Sequence, residues 1–143
     1  MINRRAYLCV VSLAIFGMGS QPSVAQAKGH HVVFALTSPD ETDWKIMINN
    51  IHGLEAGFAP DGVEVEVVAF GPGITFLKSD TPELSDIKEL EASHVHFMAC
   101  NNSMRAHHWT QADIVPGAEI VPSGIVEVAK KEESGWSYIK AGR

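Results

Sequence analysis

The stretch His-Val-His-Phe-Met-Ala-Cys-Asn-Asn-Ser, residues 94–103, contains the pattern that decides the fold of this 143-residue chain. A strongly apolar run gives way to polar residues, which predicts a strand over 94–99 that delivers Cys100 at its end. Residues 102–109 could then start a helix. The same change ends three further apolar runs. These predicted strands are 31–36, 63–70 and 118–121, and they end in 37–38, 71–73 and 122–124.

Helical patterns alternate with the strands. Residues 82–92 predict a helix with Thr81 as N-cap and Pro82 at the first helical position. Ser123 is the expected N-cap of another helix. The predicted helices are 41–58, 82–92 and 124–133, and a short last strand covers 136–139.

The alternation of strands and helices predicts a mainly parallel sheet with helices on both faces. Right-handed crossovers make this a three-layer α/β/α sandwich. Within the strand 63–70, Glu64 and Glu66 alternate with valines, which predicts that one face is exposed to solvent in its first half. We expect residues 28–143 to form a single domain, with working groups beyond the carboxyl ends of the strands.

The first 27 residues have the features of a cleaved export signal. Arg4 and Arg5 precede an apolar run over 6–18, and Ala25 and Ala27 form a small-x-small cleavage pattern. The run is shorter than the ~20 residues that span a bilayer. We therefore expect a periplasmic or secreted protein with no membrane segment after cleavage. The general secretory and twin-arginine routes both remain open.

Charge and cysteine content exclude several functional classes. The chain has 11 basic and 17 acidic residues, a net charge of −6, and loss of two arginines with the signal leaves 9 against 17, or −8. This balance argues against nucleic-acid and anionic-membrane partners. Because Cys9 lies in the signal, Cys100 is the only thiol expected in the mature chain, which excludes a disulfide scaffold.

Cys100 has two interpretations from the residues alone. A helix that starts just after it would direct free N–H groups at the sulfur and stabilise a reactive thiolate. Asn101, Asn102 and Ser103 could add hydrogen bonds, and Arg105 could supply positive charge. Alternatively, Cys100 is a small buried hydrophobe that closes the strand, since free cysteine is among the most buried residue types.

Other motifs point less directly to chemistry. The seven histidines show no H-x-x-x-H or H-E-x-x-H spacing, so we expect no specific metal site and no cofactor. Gly71-Pro72-Gly73 lacks the G-x-G-x-x-G pattern and a P-loop lysine, which argues against a nucleotide site. Gly71 and Gly73 could let backbone approach a ligand, or could simply form a tight turn.

Three motifs together resemble the DsrE/DsrF-like family, in particular its small single-domain branch. They are VEVVAFGPG (65–73), HFMACNNSMR (96–105) and VPSGIVE (121–127), and the resemblance extends over 31–140. It implies a five-stranded, mainly parallel sheet and homo-oligomers, often trimers or hexamers. It also implies that Cys100 accepts and passes on sulfane sulfur as a persulfide. Glycine often follows this cysteine in the family, where this chain has Asn101.

The leading hypothesis is an exported sulfur-handling protein that acts as a carrier more than as a turnover enzyme. Cys100 would carry the persulfide, with Asn101, Asn102 and Ser103 stabilising the sulfur anion and Arg105 recruiting an anionic donor. Its partners would be a sulfur donor or acceptor protein or a small sulfur anion. The alternative is a non-catalytic oligomeric module with an inert Cys100 and a ligand at the Gly71–Gly73 edge. A third interpretation is a metal-binding protein that uses its histidines.

Overall fold

Strands and helices alternate along the chain in the computed structural model, which describes residues 29–142. The predicted export signal and its cleavage site lie outside the described residues. The elements in chain order are β1 (His30–Leu36), α1 (Glu41–Gly57), β2 (Val63–Ala69), a 3₁₀ helix (Gly71–Leu77), α2 (Leu84–Ala92), β3 (Val95–Cys100), α3 (Asn101–Ala106), a second 3₁₀ helix (Gln111–Asp113), β4 (Glu119–Val121), α4 (Gly124–Glu133) and β5 (Ser137–Ala141).

The five strands form one sheet in the order β4-β3-β2-β1-β5. Each neighbouring pair is parallel, so the sheet is wholly parallel where the sequence predicted a mainly parallel one. The carboxyl ends of all strands therefore lie along one edge. This alignment brings the residues after β2, β3 and β4 together, as expected for an α/β fold.

Helices cover both faces of the sheet and confirm the α/β/α layering. On one face, apolar side chains of α1 and α2 pack on those of the strands, with Phe34, Phe76 and Phe97 fully buried. On the other face α4 packs over a smaller cluster that includes Val68, Met98 and Val128. The second face thus has a thinner apolar cover than the first.

Two helix ends follow the expected local chemistry, whereas Ser123 is the N-cap of α4 by position but its side chain makes no capping hydrogen bond. The Asp40 side chain accepts a hydrogen bond from the Thr42 N–H at 2.8 Å and caps α1. Gly135, with φ +89°, ends α4 in a left-handed conformation that favours glycine.

Two helix starts differ from the sequence prediction. The α2 helix begins at Leu84 with Glu83 as N-cap, so the prediction of Thr81 as N-cap was wrong. The Thr81 N–H instead donates to the Lys78 carbonyl, and residues 82–83 form a turn before the helix. The α3 helix begins at Asn101 and ends at Ala106, earlier than the predicted 102–109.

The two glutamates of β2 have different environments. Glu64 is exposed, as predicted, but Glu66 is only 1% exposed, so the prediction of a solvent-facing side chain was wrong there. The reason is tertiary, because α4 passes over this part of the sheet and brings Lys131 to the Glu66 carboxylate. Within residues 29–142, no helix combines the length and the apolar character that a membrane crossing requires.

Candidate functional site

Cys100 lies where β3 ends and α3 begins. It is the last residue of the strand and the N-cap of the helix, and it is 4% exposed. The first turn of α4 reaches the same point, because β4 lies beside β3 and α4 follows β4 after two residues. The sulfur therefore lies between the amino-terminal ends of two helices.

Hydrogen-bond donors surround the sulfur and favour its anionic form. Burial raises the pKa of the Cys100 thiol, because a charge loses solvation there. The Ser103 hydroxyl and the backbone N–H groups of Gly124, Ser103 and Asn102 lower it, and their combined effect places the pKa below its usual range. The site thus has the low exposure of a buried hydrophobe and the donor set of a stabilised thiolate.

The Ser103 hydroxyl has a fixed orientation. The Gly71 N–H donates to Ser103 Oγ at 2.8 Å, which occupies an acceptor position on that oxygen. The hydroxyl proton can then be donated to Cys100. Gly71 has φ +56°, a left-handed conformation that a residue with a side chain rarely adopts. Gly71 therefore acts on the thiol through Ser103.

Gly124 is a site residue that the sequence analysis did not identify as one. Its N–H donates to the Cys100 sulfur from the first position of α4. A Cβ at this position would lie 2.7 Å from Phe70 Cβ and 2.9 Å from Phe70 Cγ. Glycine is thus required for α4 to approach this closely. The sequence analysis placed residues 122–124 at the carboxyl edge of the sheet and at a helix start, but it did not name Gly124 as a donor to the thiol.

The Gly71–Gly73 segment does not offer free backbone donors to a ligand. The Gly71 N–H is used by Ser103, and the Gly73 N–H donates to the Phe70 carbonyl at 3.2 Å. A Cβ on Gly73 would lie 2.3 Å from the Leu36 carbonyl oxygen. The two glycines therefore serve close packing and the orientation of Ser103, which supports the turn interpretation.

The remaining predicted site residues lie along α3. Asn101 begins the helix and is half-buried. Asn102 contributes its backbone N–H to the sulfur, while its side-chain oxygen accepts a hydrogen bond from exposed Arg105 at 2.6 Å. The guanidinium is thus held on the outer side of the helix, one turn from the thiol.

A groove adjoins the thiol on its Ser103 side. It has a volume of about 400 Å³, a mainly apolar lining, and a size within the usual range of small-molecule sites. The residues that line it are Gly71, Pro72, Asn102, Ser103, Ala106 and His107. Ser103 contacts both the groove and Cys100, so it separates the sulfur from the open space.

Histidines gather at the opposite edge of the sheet. His30, His31, His94 and His96 line a cavity of about 350 Å³ near the amino ends of the strands, together with Asp61 and Glu64. His94 has φ +70° and precedes β3, so it does not share a strand face with His96. Within the described range, no group of three or more His, Cys, Asp or Glu side chains is placed to hold a metal ion.

Comparisons with known proteins agree with this architecture. No curated protein matches the chain. The solved structure of the protein of unknown function MTH1491 from Methanobacterium thermoautotrophicum is similar, with 32% sequence identity and a TM-score of 0.74. The match covers 78% of this chain and 98% of that one. Residues 23–141 match the DsrE/DsrF-like family. The chain therefore belongs to the DsrE/DsrF-like family.

Proposed function

We propose that this protein carries sulfane sulfur as a persulfide on Cys100. At the level of the family, membership implies a role of the sulfur-relay type. The observation that carries the proposal is the position of Cys100 at the N-cap of α3, beside a Ser103 hydroxyl that the Gly71 N–H orients. Hydrogen-bond donors at this position lower the pKa of the thiol. A thiolate is the nucleophile in sulfur exchange, whereas an inert buried cysteine has no need of such donors.

The loading step is a sulfur-for-sulfur exchange. The Cys100 thiolate attacks the outer sulfur of a persulfide donor R–S–SH, so a new S–S bond forms and the donor S–S bond breaks. The products are Cys100–S–SH and the thiolate R–S⁻, and the proton stays on the outer sulfur. With thiosulfate as donor, sulfite leaves with the bonding electron pair. Neither exchange needs an added oxidant or reductant.

The donors to the sulfur favour a carrier over a turnover enzyme. They are one hydroxyl and three backbone amides, which bind the anion without exchanging protons in a catalytic cycle. Exposed Arg105 would attract an anionic donor to the end of α3, and the adjoining groove would receive its apolar part.

Mass spectrometry of the native protein tests the proposal. After exposure to a persulfide or thiosulfate, the wild type is expected to gain the mass of one sulfur atom at Cys100. Cys100→Ser is the matched control and should gain none. An adduct of equal amount in both proteins, or none in either, would end the proposal.

Low exposure of the thiol favours the rival function, a non-catalytic module with an inert cysteine. Alkylation separates the two. A Cys100 thiolate that takes part in sulfur exchange reacts with iodoacetamide in the native protein, whereas an inert thiol reacts only after denaturation.

Arg105 has a separate test. Arg105→Gln should slow loading from anionic thiosulfate but leave alkylation by neutral iodoacetamide unchanged, since only the first reagent needs the positive charge. Equal loading rates for wild type and variant would remove Arg105 from the proposed recruitment step.

We also propose that the protein is exported and forms homo-oligomers. Export rests on the sequence pattern of residues 1–27, which lie outside the described residues. Self-association is supported by apolar side chains that the single chain leaves exposed on and near α4, namely Ile125, Val126 and Tyr138. Light scattering after chromatography measures the assembly, and mass spectrometry of secreted protein locates the mature amino terminus.

A further inference from the structure

A buried ion pair holds the far end of α4. Lys131 Nζ lies 2.5 Å from Glu66 Oε2 and 4.2 Å from the centre of the Trp136 ring. Glu66 faces α4 from the middle of the sheet, and its carboxylate is almost fully enclosed. Lys131 lies seven residues after Gly124, about two helical turns away from the thiol.

This pair is a poor source of stability. Glu66 Oε1 is buried without a hydrogen-bond partner among the described residues. Burial raises the pKa of the Glu66 carboxyl, and Glu127 on α4 raises it further, whereas Lys131 and His96 of β3 lower it. Buried ion pairs replaced by apolar residues are often neutral or stabilising, so their best-attested benefit is a fixed register.

Few side chains of α4 are buried against the sheet, which makes the register of the helix matter. The buried residues of the helix are Gly124 and Val128. Together with Lys131 they form one line at spacings of four and three residues, as neighbours on a helix face do. Ile125 and Val126, 60% and 49% exposed, stand beside this line. A rotation of α4 towards Ile125 would bury a larger apolar side chain and carry the Gly124 N–H away from Cys100.

We infer that Glu66 and Lys131 are positioning residues for Cys100, because their ion pair fixes the rotation of α4 that holds the Gly124 N–H against the sulfur. This inference rests on the proposed carrier function, since that function gives the positioning of Cys100 its biological use. Its measurement concerns only the thiol, so it can succeed or fail whether or not Cys100 takes up sulfur.

The test replaces both charges at once. In Glu66→Leu/Lys131→Met, no buried charge is left without a partner, so the fold should persist with an equal or higher melting temperature. The pH midpoint of Cys100 alkylation should rise by about one unit, which is a tenfold smaller thiolate fraction at pH values well below the midpoint. Lys130→Met, on the exposed side of the same helix, is the matched control and should keep the wild-type midpoint.

Two further measurements address the mechanism. Lys131→Arg keeps the positive charge opposite Glu66 and should keep the wild-type midpoint. The amide resonance of Gly124 should shift with ionisation of the thiol in the wild type and lose this response in the double variant. A change in packing that leaves the thiol's surroundings intact would alter neither readout.

The result that overturns the inference is a folded double variant with an unchanged alkylation midpoint and an unchanged Gly124 response. If the double variant does not fold, Glu66→Leu alone decides the question. In that variant the Lys131 side chain, which is 23% exposed in the wild type, can extend its ammonium group into the solvent. The same rise is expected, and an unchanged midpoint again refutes the positioning role.

Discussion

Substitution of Gly124 by alanine is expected to raise the pKa of Cys100, because the added methyl group would move the Gly124 N–H away from the sulfur. The added Cβ would lie 2.7 Å from Phe70 Cβ, whereas ordinary contacts begin near 3.4 Å. Phe70 cannot easily give way, because the blocking atom is its Cβ and its N–H is bound to the Leu36 carbonyl at 3.1 Å. The first turn of α4 must therefore move instead, by about 0.7 Å.

The size of the effect follows from the hydrogen bond that is lengthened. Hydrogen bonds to charged groups contribute about 1.5–3 kcal/mol, and 1.36 kcal/mol corresponds to about one pKa unit. Losing half of the Gly124 contribution would raise the thiol pKa by about 0.5–1 unit. The overpacking itself should cost about 1–3 kcal/mol of the free energy of unfolding.

The assay is the rate of iodoacetamide alkylation over a pH series, with denaturant unfolding measured in parallel. Gly53→Ala is the matched control, since Gly53 lies in α1 and its Cβ would meet nothing within 4 Å. That control should keep the wild-type midpoint and gain up to about 1 kcal/mol from helix propensity. A folded Gly124→Ala protein whose midpoint equals that of the wild type would refute the reasoning.

Three further outcomes are expected at and near the site. Ser103→Ala removes the hydroxyl donor and should raise the thiol pKa by about one unit in the alkylation assay, whereas Ser134→Ala, a distant exposed serine, should not. Folding lowers the pKa of Cys100, so the stability of wild type relative to Cys100→Ser should rise with pH between the folded pKa and the unfolded value of about 8.5. The gain should persist above about 8.5 and be lost as the pH falls through the folded pKa. A difference in unfolding free energies that does not change with pH would contradict this. Gly73→Ala places its Cβ 2.3 Å from the Leu36 carbonyl oxygen and should lower the free energy of unfolding by about 3 kcal/mol in denaturant. Gly57→Ala is the control, since its Cβ would meet nothing within 4 Å. Equal decreases in the two variants would argue against close packing at Gly73.

The layers of the fold could be predicted because parallel sheets leave a strong signal. Strands buried on both faces have continuous apolar runs, and such runs end at polar or glycine-rich segments in this chain. The Thr81 prediction failed because a threonine before Pro82 satisfies the local rule for a cap, whereas the chain turns there and starts α2 two residues later. The capping preference of threonine does not reveal that the chain turns before α2 begins.

The site could be predicted only in part, because it depends on contacts between distant segments. Cys100 and its own following turn are local, so the donors from Asn102 and Ser103 followed from a strand that runs into a helix. The Gly124 N–H comes from a segment 24 residues further along the chain. Glu66 was misjudged for the same reason, since alternation with valines describes an uncovered strand and α4 covers this one.

The position of the donors around Cys100 also sets the direction in which sulfur would move. Once the persulfide loses its proton, the charge resides on the outer sulfur, about 2 Å beyond the atom that Ser103 and Gly124 contact. The pocket therefore stabilises the unloaded cysteine more than the loaded one. A thiolate of low pKa is also a good leaving group, so an acceptor that attacks the outer atom would release it quickly. The protein would bind the transferred sulfur weakly and pass it on quickly, which suits transfer between partners and not storage.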